Sequence, residues 1–187
     1  MTIPEMHKAY SFTFEIMVTG APTGEWRNIA HVTKGGSNAS PGDRMPLISL
    51  HPDQNRFHIS SYVNGIVNYA CNTQIETKLN TWYKFEIKQV LSKGKYLYSV
   101  LSDSFVFDRQ DKSCKDVENT TPIELSNMKV YASDPWGNVA NAKIRHFTFS
   151  TTCKNQKLKL LVKLDGTCLV IHWKKQLYCI SECLECR

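Results

Sequence analysis

The strongest constraint on the fold lies in two neighbouring stretches, Leu79-Asn-Thr-Trp82-Tyr-Lys-Phe-Glu-Ile87-Lys-Gln-Val90 and Tyr96-Leu-Tyr-Ser-Val-Leu101, joined by Leu91-Ser-Lys-Gly94-Lys95. On an extended chain Trp82, Lys84, Glu86 and Lys88 point one way, and Tyr83, Phe85, Ile87 and Gln89 the other. A period of two with one aromatic and β-branched face is the mark of a half-buried strand. The glycine-bearing insert supplies the positive backbone angle of a hairpin turn. The pair therefore predicts an antiparallel hairpin in the middle of a sheet.

The rest of the body repeats this device. Tyr10, Phe12, Phe14, Ile16 and Val18 alternate cleanly, and Gly20-Ala-Pro-Thr-Gly24 ends the run. Further strands are predicted at 26–33, 44–51, 56–63, 66–70, 104–108, 128–132 and 144–149. Asn64-Gly65 is a tight-hairpin signal between two of them. The segment 34–43, rich in Gly and Ser, predicts a long exposed loop with functional potential. Arg109 to Pro122 predicts a polar connection. No helical period is found before residue 150, so about ten short strands predict an all-β sandwich or barrel. A chain of 187 residues has room for one such core.

The net charge of +6 is mostly a property of the C-terminus, since residues 151–187 hold seven Lys/Arg against three Asp/Glu. With no basic run interleaved with aromatics in the body, nucleic acid is not an expected partner. No apolar stretch is long enough for a membrane-spanning helix. The first eight residues lack the apolar run of a secretory leader. Taken alone the chain reads as cytosolic; as a piece of a longer secreted protein it reads as extracellular, which is the expectation adopted. Two N-glycosylation acceptor patterns, Asn38-Ala-Ser40 and Asn119-Thr-Thr121, agree with that. Of seven Cys, Cys71 and Cys114 flank the central hairpin and are one candidate bridge, with connectivity open. Cys179, Cys183 and Cys186, with His172, have the residue types of a zinc site but not a standard spacing. Residues 153–187 read as a basic, Cys-rich tail: Asp165-Gly166 is placed to close a hairpin with Cys168-Leu-Val-Ile-His-Trp173, and the final Cys-rich piece is open between an extra hairpin, a marginal helix and sequence that does not fold.

The order of these signals resembles the concanavalin A-like lectin/glucanase superfamily, and within it the laminin G-like domains. The resemblance covers about residues 9 to 152. It is carried by the aromatic strand Tyr10–Val18, by Trp26-Arg-Asn-Ile-Ala-His-Val-Thr33, by Arg44-Met-Pro46, by Leu79-Asn-Thr-Trp82, by the return strand Tyr96–Leu101 and by Lys143-Ile-Arg-His-Phe-Thr-Phe149. It implies a jelly-roll sandwich of two antiparallel sheets, with any ligand on the concave sheet or the rim loops. It also implies calcium at the rim, for which Asp43, Asp53, Asp103 and Asp134 are the loop acids available, Asp43 and Asp134 foremost. The galectin branch's sugar-binding residue types echo in His51, Asn55, Arg56, Asn64, Trp82 and Glu86, but at the wrong spacing, and a one-residue slip on a strand reverses the face. The glucanase branch's carboxylate triad on one strand has no match; Asp116 and Glu118 are two apart but fall in the polar connection.

The sharpest local candidate is Asp134-Pro-Trp-Gly-Asn138. A Trp on a rigid turn beside an Asp and an Asn suits a sugar, which offers an apolar face and a ring of hydroxyls. The competing reading makes Trp136 a plug over the end of the sandwich. Asp134, Trp136, Asn138, Arg44 and Asn64 are the ligand-binding candidates. The functional expectation is a non-catalytic recognition module for carbohydrate or an extracellular protein surface. The alternatives are a glycan-cleaving enzyme on the same fold and a structural domain without a ligand of its own.

Overall fold

A computed structural model describes residues 1–153, 156–165 and 168–173, with side chains described through residue 152. The strands of one sheet are Thr2–Met6 (β1), Arg27–Thr33 (β3), Leu47–Leu50 (β4), Phe57–Val63 (β5), Ile66–Thr73 (β6), Phe107–Arg109 (β9), Lys112–Ser113 (β10), Leu125–Ala132 (β12) and Asn138–Val139 (β13). Those of the other are Ala9–Val18 (β2), Trp82–Ser92 (β7), Lys95–Ser102 (β8), Val117–Asn119 (β11), Ala142–Cys153 (β14), Gln156–Asp165 (β15) and Cys168–Trp173 (β16). The nine-stranded sheet runs β1-β12-β3-β4-β5-β6-β9-β10, with β13 parallel to β3. The seven-stranded sheet runs β11-β8-β7-β2-β14-β15-β16. They pack face to face as a jelly-roll sandwich around one hydrophobic core.

The alternation read from the sequence is the alternation that is buried. Tyr10, Phe12, Phe14, Ile16 and Val18 on β2 are inside, as are Tyr83, Phe85, Ile87 and Gln89 on β7. The central hairpin turns at Lys93 and Gly94, both at positive φ (50° and 78°), and the β5–β6 hairpin at Asn64 and Gly65 (54° and 75°). Two successive positive φ values match the twist of the strands they join. Rings from both sheets meet in the middle, Phe14 stacking on Phe85 at 5.5 Å and Phe57 meeting Phe85 edge-on at 4.8 Å. Each such ring buried contributes about 1.5–3 kcal/mol by area alone. Cys71, on the inner face of β6, is disulfide-bonded to Cys114, which directly follows β10 of the same sheet and whose carbonyl accepts the Val100 N–H of β8 in the other sheet at 2.9 Å.

Several boundaries differ from the expectation. The sandwich begins at Thr2, because β1 pairs with β12. The predicted strand 44–51 is shorter: Arg44 and the cis Met45–Pro46 peptide precede β4. The polar connection after residue 108 contains β10 and β11, which pair with β9 and β8. β15 pairs with β14 and β16 with β15, continuing the seven-stranded sheet. Residues 174–187, with Cys179, Cys183 and Cys186, lie outside the described residues, and the side chain of His172 is not among those described.

Candidate functional site

Register decides which side chains of the nine-stranded sheet leave the core. Ile48 of β4 pairs with Ile59 of β5, and Ile59 with Cys71 of β6, and this row is buried between the sheets. The neighbouring rows face the other way. One is Asn28, Ser49, His58 and Asn72; the next is His31, Leu47, Ser60 and Ala70. Two of these strands carry a register shift, β3 between Asn28 and Ala30 and β5 between Ser61 and Val63.

The first shift builds one end of the outward face. Across the bulge Asn28 and His31 come to the same side, and both reach Asp134: Asn28 Nδ2 donates to Asp134 Oδ2 at 2.7 Å, and His31 Nδ1 lies 2.9 Å from the same oxygen. Asp134 Oδ1 accepts the backbone N–H groups of Trp136 and Gly137, each at 2.9 Å. His31 Nε2 faces the carbonyl of Asp43. His31 is fully buried although its row points outward, because the 34–46 loop and the 134–137 turn close over it. A carbonyl on one side and a carboxylate on the other ask for a proton on both ring nitrogens. Burial opposes this and pulls the imidazole below its ordinary value, against the upward pull of the Asp43 carbonyl and the Asp134 carboxylate.

Trp136 stands on this anchor. Its ring meets His31 edge-on at 5.7 Å and Tyr131 at 6.1 Å, yet 45% of the residue stays exposed. Gly137 permits the close approach of the turn, since a Cβ there would sit 2.3 Å from Asn28 Nδ2. Arg44 emerges beside the same acids. Its Nε donates to the Ser37 carbonyl at 3.0 Å and its Nη1 to Asn68 Oδ1 at 2.6 Å, while Nη2 has no protein partner among the described residues. Burial pulls the guanidinium down; the charges of Asp134 and Asp43 oppose this.

The other end of the face is aromatic. His51 Nε2 and His58 Nδ1 both lie against Asn72 Oδ1, at 3.0 and 2.8 Å. Trp26, 46% exposed, covers both rings with centroids 4.8 Å away. Burial lowers both imidazoles, His58 to about 4, and the Asn72 bond pulls each the other way; the Arg56 charge adds to the drop for His51, and the His51 and Arg44 charges add to it for His58.

Of the residues singled out from the sequence, Asp134, Trp136 and Arg44 therefore come together. Asn138 is adjacent but donates to Glu25. Asn64 stands apart, at a hairpin tip: its backbone N–H donates to Asn119 Oδ1 at 2.9 Å, its Nδ2 to the Glu118 carbonyl at 2.8 Å, and its Oδ1 accepts from Thr120. That tie corrects a second expectation. Asn119 is buried, and its Nδ2, the atom that would carry a glycan, donates to Gln89 Oε1 at 2.7 Å, leaving no space for a sugar. Asn38 is exposed.

The calcium candidates do not fit the ion. It needs six to eight oxygens, and both Asp134 oxygens are engaged by N–H groups. Asp43 Oδ2 accepts the Ala39 and Ser40 N–H groups at 2.8 Å each, which closes the 34–43 loop on itself. Asp53 and Asp103 are exposed. Among the described residues no three His, Cys, Asp or Glu side chains converge on a metal-sized point. Asp116 and Glu118 are occupied separately, by Ser99 and Lys95. A groove of about 520 Å³ crosses the outer face of the seven-stranded sheet, lined by Ser11, Thr13, Thr148, Ser150, Glu86 and Lys88. It has volume and hydroxyls but no exposed ring to stack on, and its Glu86 is already paired with Lys88 at 2.9 Å.

Comparison with known proteins adds little to this geometry. No protein-family model matches the chain, and no curated protein matches it. Among solved structures, the native heptameric SAP-like pentraxin from Limulus polyphemus is similar at 12% identity, with a TM-score of 0.47 over 80% of this chain. The chain spans 66% of that protein's length.

Asn28, His31, His58, Asn68, Asn72 and Trp26 were not singled out as site residues from the sequence, and His51 entered only as a galectin-type echo at the wrong spacing. The only local signal for the histidines was their position beside predicted strand ends and hairpins, which does not say which face they take.

Proposed function

We propose that this chain is a non-catalytic recognition module that binds carbohydrate at the Trp136 end of the outward face of the nine-stranded sheet. The observation that carries the reading is the placing of a half-exposed Trp136 on the buried Asp134–His31 pair, with Arg44 beside the same acid and its Nη2 without a partner among the described residues. An aromatic plate stacks on the apolar face of a sugar ring, and a guanidinium edge donates to its hydroxyls. Neither group has to be reorganised on binding, because each is already held by its neighbours. The buried Cys71–Cys114 bridge supports an oxidising, extracellular setting. Among the described residues no pair of free carboxylates is offered for glycosidic cleavage on this face, which favours binding over catalysis.

A glycan array probed with the full chain, with and without calcium, tests this. Binding that Trp136→Ala abolishes and Arg44→Gln weakens at least tenfold, independent of calcium, is the expected result. Binding that both variants retain sinks the assignment of this face. No binding to any glycan shifts the same face to a protein partner.

A further inference from the structure

We infer that His51, His58 and Asn72 form a site for a divalent transition-metal ion of tetragonal preference, copper(II) or nickel(II), at the Trp26 end of the same face. This is independent of the carbohydrate reading, which rests on Trp136 and Arg44.

Three donor atoms converge there from three places in the chain: His51 follows β4, His58 is on β5 and Asn72 on β6. The two imidazole nitrogens stand 3.0 and 2.8 Å from one amide oxygen. An ion with bonds of about 2.0–2.1 Å holds its cis ligands about 2.9 Å apart when the angle between them is a right angle. Both nitrogen–oxygen separations match that edge. A tetrahedral ion spreads its ligands wider, to about 3.3–3.4 Å with the same bonds, so the set fits a square or octahedral ion better than zinc. Imidazole with amide or water oxygen is a donor set that copper(II) and nickel(II) accept.

The site also has the proton chemistry it needs. As hydrogen-bonded, each ring donates an N–H to Asn72 Oδ1. His51 Nδ1 and His58 Nε2 make no hydrogen bond among the described residues, so each ring can carry its single proton there instead. That frees His51 Nε2 and His58 Nδ1 as lone-pair donors on either side of the Asn72 amide oxygen, with water to complete the shell. Trp26 packs over both rings at 4.8 Å and holds their orientation, the supporting role that outer groups play at metal sites.

The test is a titration of the full chain with copper(II) after its thiols have been alkylated, followed by electron paramagnetic resonance. One ion per chain with nitrogen coupling from two imidazoles is expected. His51→Gln and His58→Gln should each weaken binding at least tenfold and remove one nitrogen from the signal, while His146→Gln, on the other sheet, should change nothing. Asn72→Asp should tighten binding about tenfold, since a carboxylate replaces a neutral oxygen without removing either histidine. The thermal midpoint of each variant, taken without metal, separates lost binding from lost folding. A copper signal lacking two imidazole nitrogens, or one that persists in both histidine variants, overturns the proposal. So does Asn72→Asp binding no more tightly than the unaltered chain.

Discussion

Asn28 and His31 are three residues apart on one strand, yet both bond the same oxygen, Asp134 Oδ2. On a regular strand residues three apart face opposite sides of the sheet. The bulge between Asn28 and Ala30 removes that alternation and makes Asp134 the hub joining β3, the 134–137 turn and, through His31, the 34–46 loop. Trp136 owes its fixed position to this hub.

Replacing Asp134 with Ala should be costly. It strips acceptors from four N–H groups, and a buried donor left unpaired costs about 1–3 kcal/mol. A loss of about 3 kcal/mol or more in urea unfolding is expected for Asp134→Ala, and about 1–3 kcal/mol for Gly137→Ala, whose methyl group meets the Asn28 amide. An unchanged midpoint for Asp134→Ala would show that the turn is held by something else.

Stability should fall with acid in a defined window. His58 titrates near 6.5 when unfolded and at about 4 when folded, and burial lowers His51 and His31 in the same sense. Between those limits the unfolded chain binds more protons, so the contribution is full above about pH 6.5 and drains away as the pH drops toward 4. One histidine gives a slope of at most about 1.4 kcal/mol per pH unit. Denaturant midpoints measured from pH 7.5 to 4 should show the decline, and His58→Gln should flatten it.

The disulfide should matter for folding more than for the site. Cys71 and Cys114 are separated by 43 residues. Closing a loop of that length in the unfolded chain is worth about 3–4 kcal/mol. The paired substitution Cys71→Ser with Cys114→Ser should lower stability by about that amount. Trp136 fluorescence, isolated by replacing the other tryptophans with Phe, should remain native-like in whatever fraction still folds.

Glycosylation should discriminate between the two acceptor patterns. In a glycosylating host, peptide mapping by mass spectrometry should find sugar at Asn38 and none at Asn119, whose amide is spent on Gln89 inside the protein. Occupied Asn119 in folded protein would contradict the packing described here.

The all-β class, the β7–β8 hairpin and the inward faces of β2 and β7 were legible in the chain because period-two alternation and turn chemistry are local properties. The Asp134 turn was legible for the same reason, with Oδ1 capping the next backbone N–H groups. The outward face was not. From the Asn64-Gly65 turn alone, continuous pairing sets His58 opposite Cys71; the shift between Ser61 and Val63 moves it opposite Asn72 and turns Cys71 inward, where it meets Cys114. The matching shift in β3 brings Asn28 and His31 to Asp134, more than a hundred residues away in sequence. What the sequence determined by itself was each strand's two faces, because alternation needs only near neighbours. Which residues meet on the binding face was decided by tertiary structure, because a one-residue bulge reverses a face and is favoured only when distant partners pack against it.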